Sequence, residues 1–147
     1  MAKENKKTKE VKVQFKAIEV IDFSLMHPSK EKLNFTQYHF NLNIEHKINN
    51  EQKVIFVLTK IDIFHGDKVT QLGSIKTSCN FEIENFNDFI IPEKENKPSF
   101  PEDLINMLNS ISLSTTRGVM FSSFRGTFLH NAVLPIIDPR AFKMEPK

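Results

Sequence analysis

The chain has 147 residues, 39% of them hydrophobic, with a net charge of +2; it contains 14 Phe, no Trp and one Cys. That length suits one domain, which at about 150 residues buries roughly 68–70% of the surface its unfolded chain exposes. So small a charge does not argue for nucleic acid, one cysteine excludes an intrachain disulfide framework and fits a reducing compartment, and no apolar run reaches the roughly 18 residues a membrane span needs.

Lys3, Lys6, Lys7, Lys9 and Lys12 gather at the start. Residues 1–10 read as a disordered basic N-terminus rather than a nucleic-acid arm, since the signatures of RNA-binding modules are missing. The same stretch lacks an apolar h-region, so no secretory signal is visible and a cytoplasmic location is expected.

From Val11 to Leu25 the apolar face first falls on Val13 and Phe15, then moves to Ile18 and Val20 past Ala17. A change of parity inside a strand is the mark of a β-bulge. His27 to Glu31 reads as a loop. Tyr38, Phe40, Leu42, Ile44 and Ile48 then alternate with His39, Asn41, Asn43, Glu45 and Lys47, the pattern of a half-buried antiparallel strand. Asn49-Asn50-Glu51 supplies a turn.

Lys53 to Phe64 is denser and suits a strand covered on both faces. His65-Gly66-Asp67-Lys68 predicts a hairpin turn with positive φ at Gly66. Val69 to Ile83 returns the strand, with Ile75, Cys79, Phe81 and Ile83 on one parity. Four strands joined by short turns predict an antiparallel meander.

Asn85 to Pro98 is polar and reads as a loop. Ser99 and Glu102 have capping-box spacing, Pro101 fits a first helical turn, and Leu104, Leu108, Ile111, Thr115 and Val119 recur at helical spacing. Ser112, Ser114, Thr115, Thr116 and Gly118 are weak helix formers, with Gly about 1 kcal/mol worse than Ala. Small residues suit close packing, against a second subunit or against the helix's own sheet. Gly126 is placed to close the helix in a left-handed conformation. The expected fold class is α+β: a four-stranded antiparallel meander packed by a long C-terminal helix and a second short helical segment. One domain spans residues 11–142, and 143–147 form a polar tail.

No catalytic or metal-binding pattern emerges. His39 and His46 fall on opposite faces of one strand, and no HExxH, CxxC or Gly-rich phosphate loop occurs. Cys79 reads as a buried small residue, and Asp22 and Asp62 as carboxylates on solvated faces. An enzyme, a metal or a cofactor is therefore not expected.

Three short stretches carry a resemblance. Arg125-Gly126-Thr127-Phe128 follows the helix, Leu134-Pro135-Ile136-Ile137-Asp138 comes next, and Asp22-Phe23-Ser24-Leu25-Met26-His27-Pro28 closes the first strand. Their order and spacing are similar to the SecB family of bacterial export chaperones over about residues 11–142. The resemblance implies an ATP-independent holding chaperone, a homotetramer built from two dimers, that binds non-native polypeptides in apolar grooves. Mapped onto this chain, the groove candidates are Phe23, Leu25, Met26, Phe35, Phe128, Leu129 and Val133. For each residue, ordinary core is the alternative.

Where SecB carries acidic residues that dock the translocase motor SecA, this chain has Met26 and Ser74, and its tail is Lys143-Met144-Glu145-Pro146-Lys147. Electrostatic docking to SecA loses its warrant. A chaperone dedicated to one partner, such as a toxin–antitoxin system, is the expectation. The competing readings are a module that only oligomerises and a small-ligand binder or enzyme with a cavity between sheet and helix.

Overall fold

The computed structural model describes residues 11–27, 37–91 and 97–138. The basic stretch 1–10, the segment holding Phe35 and the tail 143–147 lie outside the described residues. Strands β1 (Val13–Leu25), β2 (Tyr38–Asn49), β3 (Val54–His65) and β4 (Gln71–Ile83) form one antiparallel sheet, packed by a single long helix, α1 (Glu102–Ser123). The fold is α+β.

The strand order is β1-β4-β3-β2. The expected meander holds for β2, β3 and β4, which are hairpin neighbours. β1 departs from it, lying at the far edge against β4 in a Greek-key arrangement. There it pairs the row of β4 backbone groups that β3 leaves free, and it flanks the buried Ile75, Thr77, Cys79 and Phe81.

The parity change in β1 is a bulge, and a second one follows. Pairing with β4 shifts register between Phe15 and Ala17 and again between Val20 and Asp22. Val13, Phe15, Ile18, Val20, Phe23 and Leu25 are thereby matched to Ile83, Phe81, Cys79, Thr77, Ile75 and Gly73. Two extra residues keep these six apolar side chains on the helix side of the sheet, while Ile21, at the second bulge, faces the other way.

The β3–β4 turn differs from its expectation in one residue. Lys68, with φ 64°, takes the left-handed conformation, and Gly66 does not. Asp67 explains why Lys68 can. Its carboxylate accepts hydrogen bonds from the Val69 and Thr70 amides at 2.9 Å and from the Thr70 hydroxyl at 2.8 Å, which ties the turn down. Gly66 is needed for space, because a Cβ there would lie 2.9 Å from Gln37 Cβ.

The polar stretch before the helix is more than a loop. Phe86–Phe89 forms a short 3-10 helix, and Ile90–Ile91 (β5) pairs with Lys97–Pro98 (β6). Phe86 and Phe89 are buried, and their rings lie 5.5 and 5.4 Å from that of Phe100. The Ser99 capping box does not form. The Ser99 amide donates to Phe89 O, and the helix begins after Pro101 with no side-chain cap. Glu102 and Asp103 in its first turn complement the positive end of the helix dipole. Beyond α1, residues 124–131 form linked turns rather than a regular second helix. Gly126, at φ 78°, opens them in the left-handed conformation.

The helix crosses β2, β3 and β4 and covers two apolar clusters. Ile55, Val57, Cys79, Phe81, Phe86, Leu104 and Leu108 fill one. Ile61, Ile63, Ile75, Leu113, Met120, Phe124 and Leu129 fill the other. Between them the helix presents Asn109, Ser112 and Thr116, all buried. Ile111 and Val119, which define the helical face by hydropathy, sit half-buried on its flank. No helix among the described residues is long and apolar enough to cross a membrane.

Candidate polypeptide-binding surface

The helix-side face of β1 lies beside α1 rather than under it. Ile18 and Val20 are 49% and 51% exposed, and Phe15 and Phe23 are also exposed. A row of large apolar side chains thus stands open along an edge strand, the arrangement that invites a further chain. Its lower neighbours are in the core: the Phe15 ring lies 4.7 Å from that of Phe81.

At the C-terminal end of β1 this row meets the turns after the helix. Phe23 stacks on Phe124 with ring centroids 4.9 Å apart, and His27 lies 4.9 Å from Phe128. Met26 donates its amide to Leu72 O while its side chain stays 40% exposed. Leu25 and Phe128 are half-buried against the cluster around Phe124. Two stretches about a hundred residues apart in sequence therefore form one apolar rim, with aromatic faces on both sides.

The Arg-Gly-Thr-Phe segment sets the far side of that rim by local hydrogen bonding. Thr127 Oγ1 donates to Phe124 O at 2.6 Å and accepts from the Leu129 amide at 3.2 Å. Its own amide also donates to Phe124 O. The hydroxyl supplies the partners that a continuing helix would have given, and this holds Phe128 at the surface while turning Leu129 inward. Leu129 is fully enclosed in the core, leaving its neighbours to form the accessible surface. Val133, the remaining described candidate, is 52% exposed. Arg117 ties this segment to the helix, its guanidinium donating to Leu134 O at 2.8 Å and Pro135 O at 2.9 Å. That contact gives the arginine a structural task.

Of the sequence candidates, Phe23, Leu25, Met26 and Phe128 come together at this rim, and their neighbours Phe124, Phe15, Ile18 and Val20 were not among them. Phe124 sits one helical turn after Met120 and was legible as the end of the helix, but its contact with Phe23 depends on where β1 lies. Phe15, Ile18 and Val20 were legible as an apolar strand face, and only the position of the helix leaves them uncovered.

Asp22 is exposed and accepts from the Phe23 amide; Asp62 accepts from Gln71 Nε2 at 3.2 Å. Cys79 is buried, and burial pushes its thiol pKa up, away from nucleophile behaviour. Among the described residues no group of His, Cys, Asp and Glu side chains gathers to hold a metal. On the opposite sheet face a wide-open hollow is lined by Ile21, Phe56, Leu58, Lys47, Lys76 and Glu51 among others.

No model of a known family and no curated protein matches the chain. Its fold is similar to that of the SecB-like chaperone Rv1957 of Mycobacterium tuberculosis, solved in complex with a ChAD peptide from the antitoxin HigA1 (Rv1956). The TM-score is 0.52 at 11% identity, over 84% of this chain and 83% of that one. The SecB-like fold expected from the sequence is the fold observed. A protein of unknown function from Streptococcus agalactiae gives a TM-score of 0.38 at 14% identity, covering 78% of this chain and 89% of that one, a score too low to establish a common fold.

Proposed function

We propose that this chain is a SecB-like holding chaperone that binds non-native polypeptide without ATP. The observation that carries the reading is the open rim of Phe23, Met26, His27 and Phe128 on a fold shared with a chaperone whose solved partner is an antitoxin peptide. Apolar contact stabilises by about 25 cal/mol per Å² and carries no sequence code, so a groove of this kind takes many extended segments. Leu25, Phe128 and Val133 extend the surface on either side; Phe35, a further candidate, lies outside the described residues.

The client is best sought among dedicated partners of the toxin–antitoxin kind. Ser74 is buried and its hydroxyl pairs with Ser24 at 2.7 Å, and Met26 offers an apolar side chain. Neither supplies the negative charge that docking to a basic motor such as SecA would use.

Self-association belongs to the same reading, with a homo-oligomer, a dimer or a tetramer, as the working form in the cytoplasm. The exposed side of α1 carries Met107, Ser110, Ser114, Gly118 and Phe121, a narrow stripe between two large apolar residues. Gly118 has open space over its Cα, where another helix could approach. This stripe also supports a second reading, in which the domain only assembles and holds no client.

The two readings part in one experiment. The purified protein is added to a reduced, aggregating model substrate at near-stoichiometric ratio, and native mass is recorded with and without that substrate. Suppressed aggregation and a complex of increased mass are expected. An oligomer that leaves aggregation untouched means an assembly module, and a monomer indifferent to the substrate would overturn the proposal.

A further inference from the structure

Residues 132–138 follow the turns after α1 and belong to no helix or strand. Ala132 and Leu134 are buried in the cluster of Ile61, Ile63, Leu113 and Met120, and Ile137 packs against it half-buried. Val133, Pro135 and Ile136 face outward, Ile136 at 96% exposure. The segment thus alternates in and out as a strand does, yet lies outside both sheets. Among the described residues, the backbone of 133–137 has two hydrogen bonds, both from the Arg117 guanidinium, to the carbonyls of Leu134 and Pro135.

Its composition sets it apart from an ordinary connection. Ala132-Val133-Leu134-Pro135-Ile136-Ile137 is apolar at every position. A segment that buries one face needs apolar residues only at alternate positions. Here both faces are apolar and the backbone is mostly unpaired, which is also the description of the polypeptide a holding chaperone binds. The tie to the helix is equally indifferent to side chains. A guanidinium is always charged, and its fork of N–H groups addresses the carbonyls of any chain.

We infer that residues 132–137 are a built-in pseudo-client: they occupy a second polypeptide-binding site, formed by this cluster and Arg117, and yield it to a client segment. The inference rests on the holding function proposed above. Displacement is close to an exchange of like for like. The client's apolar side chains replace Ala132, Leu134 and Ile137 over the cluster, and its carbonyls take the Arg117 N–H groups. Tyr38, Phe40 and Leu42, half-buried at the margin of the same cluster, extend the site for longer segments. The lifted strap is apolar on both faces, so Val133 and Ile136 stay part of the holding surface.

The test is methyl NMR of the intact protein with a reduced, unfolded model substrate, with native mass recorded on the same sample. In the complex, a soluble paramagnetic probe should broaden the Ala132 and Leu134 methyl signals several-fold more than in the free protein, while the Arg117 Nε–H stays slow to exchange. Leu134→Ala, which weakens the strap and leaves the site beneath it intact, should hold substrate several-fold more tightly. A complex in which both methyl groups stay shielded, with only the rim of Phe23 and Phe128 responding, overturns the inference and leaves the holding function standing. A folded Leu134→Ala that holds no better overturns it as well, and no complex at all overturns both readings. Should that variant fail to fold, the wild-type methyl groups decide alone: exposed in the complex they support the strap, shielded they overturn it.

Discussion

Gly73 and Leu129 are packed so closely that nothing larger than hydrogen fits between them. A Cβ on Gly73 would lie 2.8 Å from Leu129 Cδ1 and 2.8 Å from Ser24 O, with the Phe124 ring 3.6 Å away. Leu129, Ser24 and Phe124 belong respectively to the turns after the helix, the end of β1 and the end of α1, so this one glycine sets how near the two halves of the apolar rim approach. Gly73→Ala is expected to cost about 1–3 kcal/mol as an overpacked core, and Leu129→Ala about 2–5 kcal/mol as a cavity. Combined, the two should cost less than their sum, because removing the leucine frees part of the space the new methyl needs. Urea unfolding of the three variants measures this; strict additivity would mean that the two sites do not touch.

Substitutions on the rim should separate binding from stability. Met26→Asp and Val133→Asp alter exposed side chains and are expected to change stability by no more than about 0.5 kcal/mol. Each should weaken the holding of an aggregating substrate several-fold, because a charge placed in an apolar contact must be desolvated without a partner. Aggregation suppression measured beside thermal unfolding checks both halves of the expectation.

Arg117 gives a third test. Its two hydrogen bonds, to Leu134 O and Pro135 O, are charge-assisted, and Arg117→Ala should lower stability by about 1–2 kcal/mol. The loss should appear first as faster amide exchange in residues 132–138, with α1 itself little affected. Arg117→Lys should restore only part of it, since an ammonium cannot span both carbonyls with the fixed geometry of a guanidinium.

The β3–β4 hairpin should resist acid at one point. Hydrogen bonds from Thr70 and Val69 hold the Asp67 carboxyl down at about 2. A depressed carboxyl contributes fully above its unfolded value near 4 and loses that contribution as pH falls through about 2. The Thr70 amide and the Asp67 carboxyl carbon, followed by NMR, should therefore keep their native shifts to well below pH 4. In Asp67→Ala the turn amides should exchange faster at every pH.

Cys79 should be silent in the folded protein. It is fully buried and its thiol pKa is raised by that burial, so a thiol reagent at pH 8 is expected to react only as fast as the sheet opens. Reaction that accelerates with urea in step with unfolding is the expected result; rapid native-state labelling would contradict the burial.

Signals carried by neighbouring residues were legible in the sequence. The alternation in β2, the two-sided burial of β3, the bulge after Phe15 and the left-handed Gly126 all follow from spacing or from backbone preference within a few residues. Legibility failed where a partner lay far along the chain. Hydropathy placed the helical face on Leu104, Leu108, Ile111, Thr115 and Val119; Leu104 and Leu108 are core, yet the centre of the face is Asn109, Ser112 and Thr116, whose burial is tolerable because His46, Cys79 and Thr77 stand opposite. Phe86 and Phe89 were hidden in a polar stretch because two anchors are enough to pin it.

The sequence by itself determined four strands, one long helix and the turn that ends it. These depend on periodicity and on the chemistry of single residues. Tertiary structure decided that β1 lies against β4 rather than β2, and that Phe23 meets Phe124. It also decided that Leu129 is core while Phe15, Ile18 and Val20 stand open. Strand order is a matter of long-range backbone pairing, to which side-chain alternation is indifferent. An apolar residue likewise becomes surface or core according to what packs over it, and here α1 covers three strands of four.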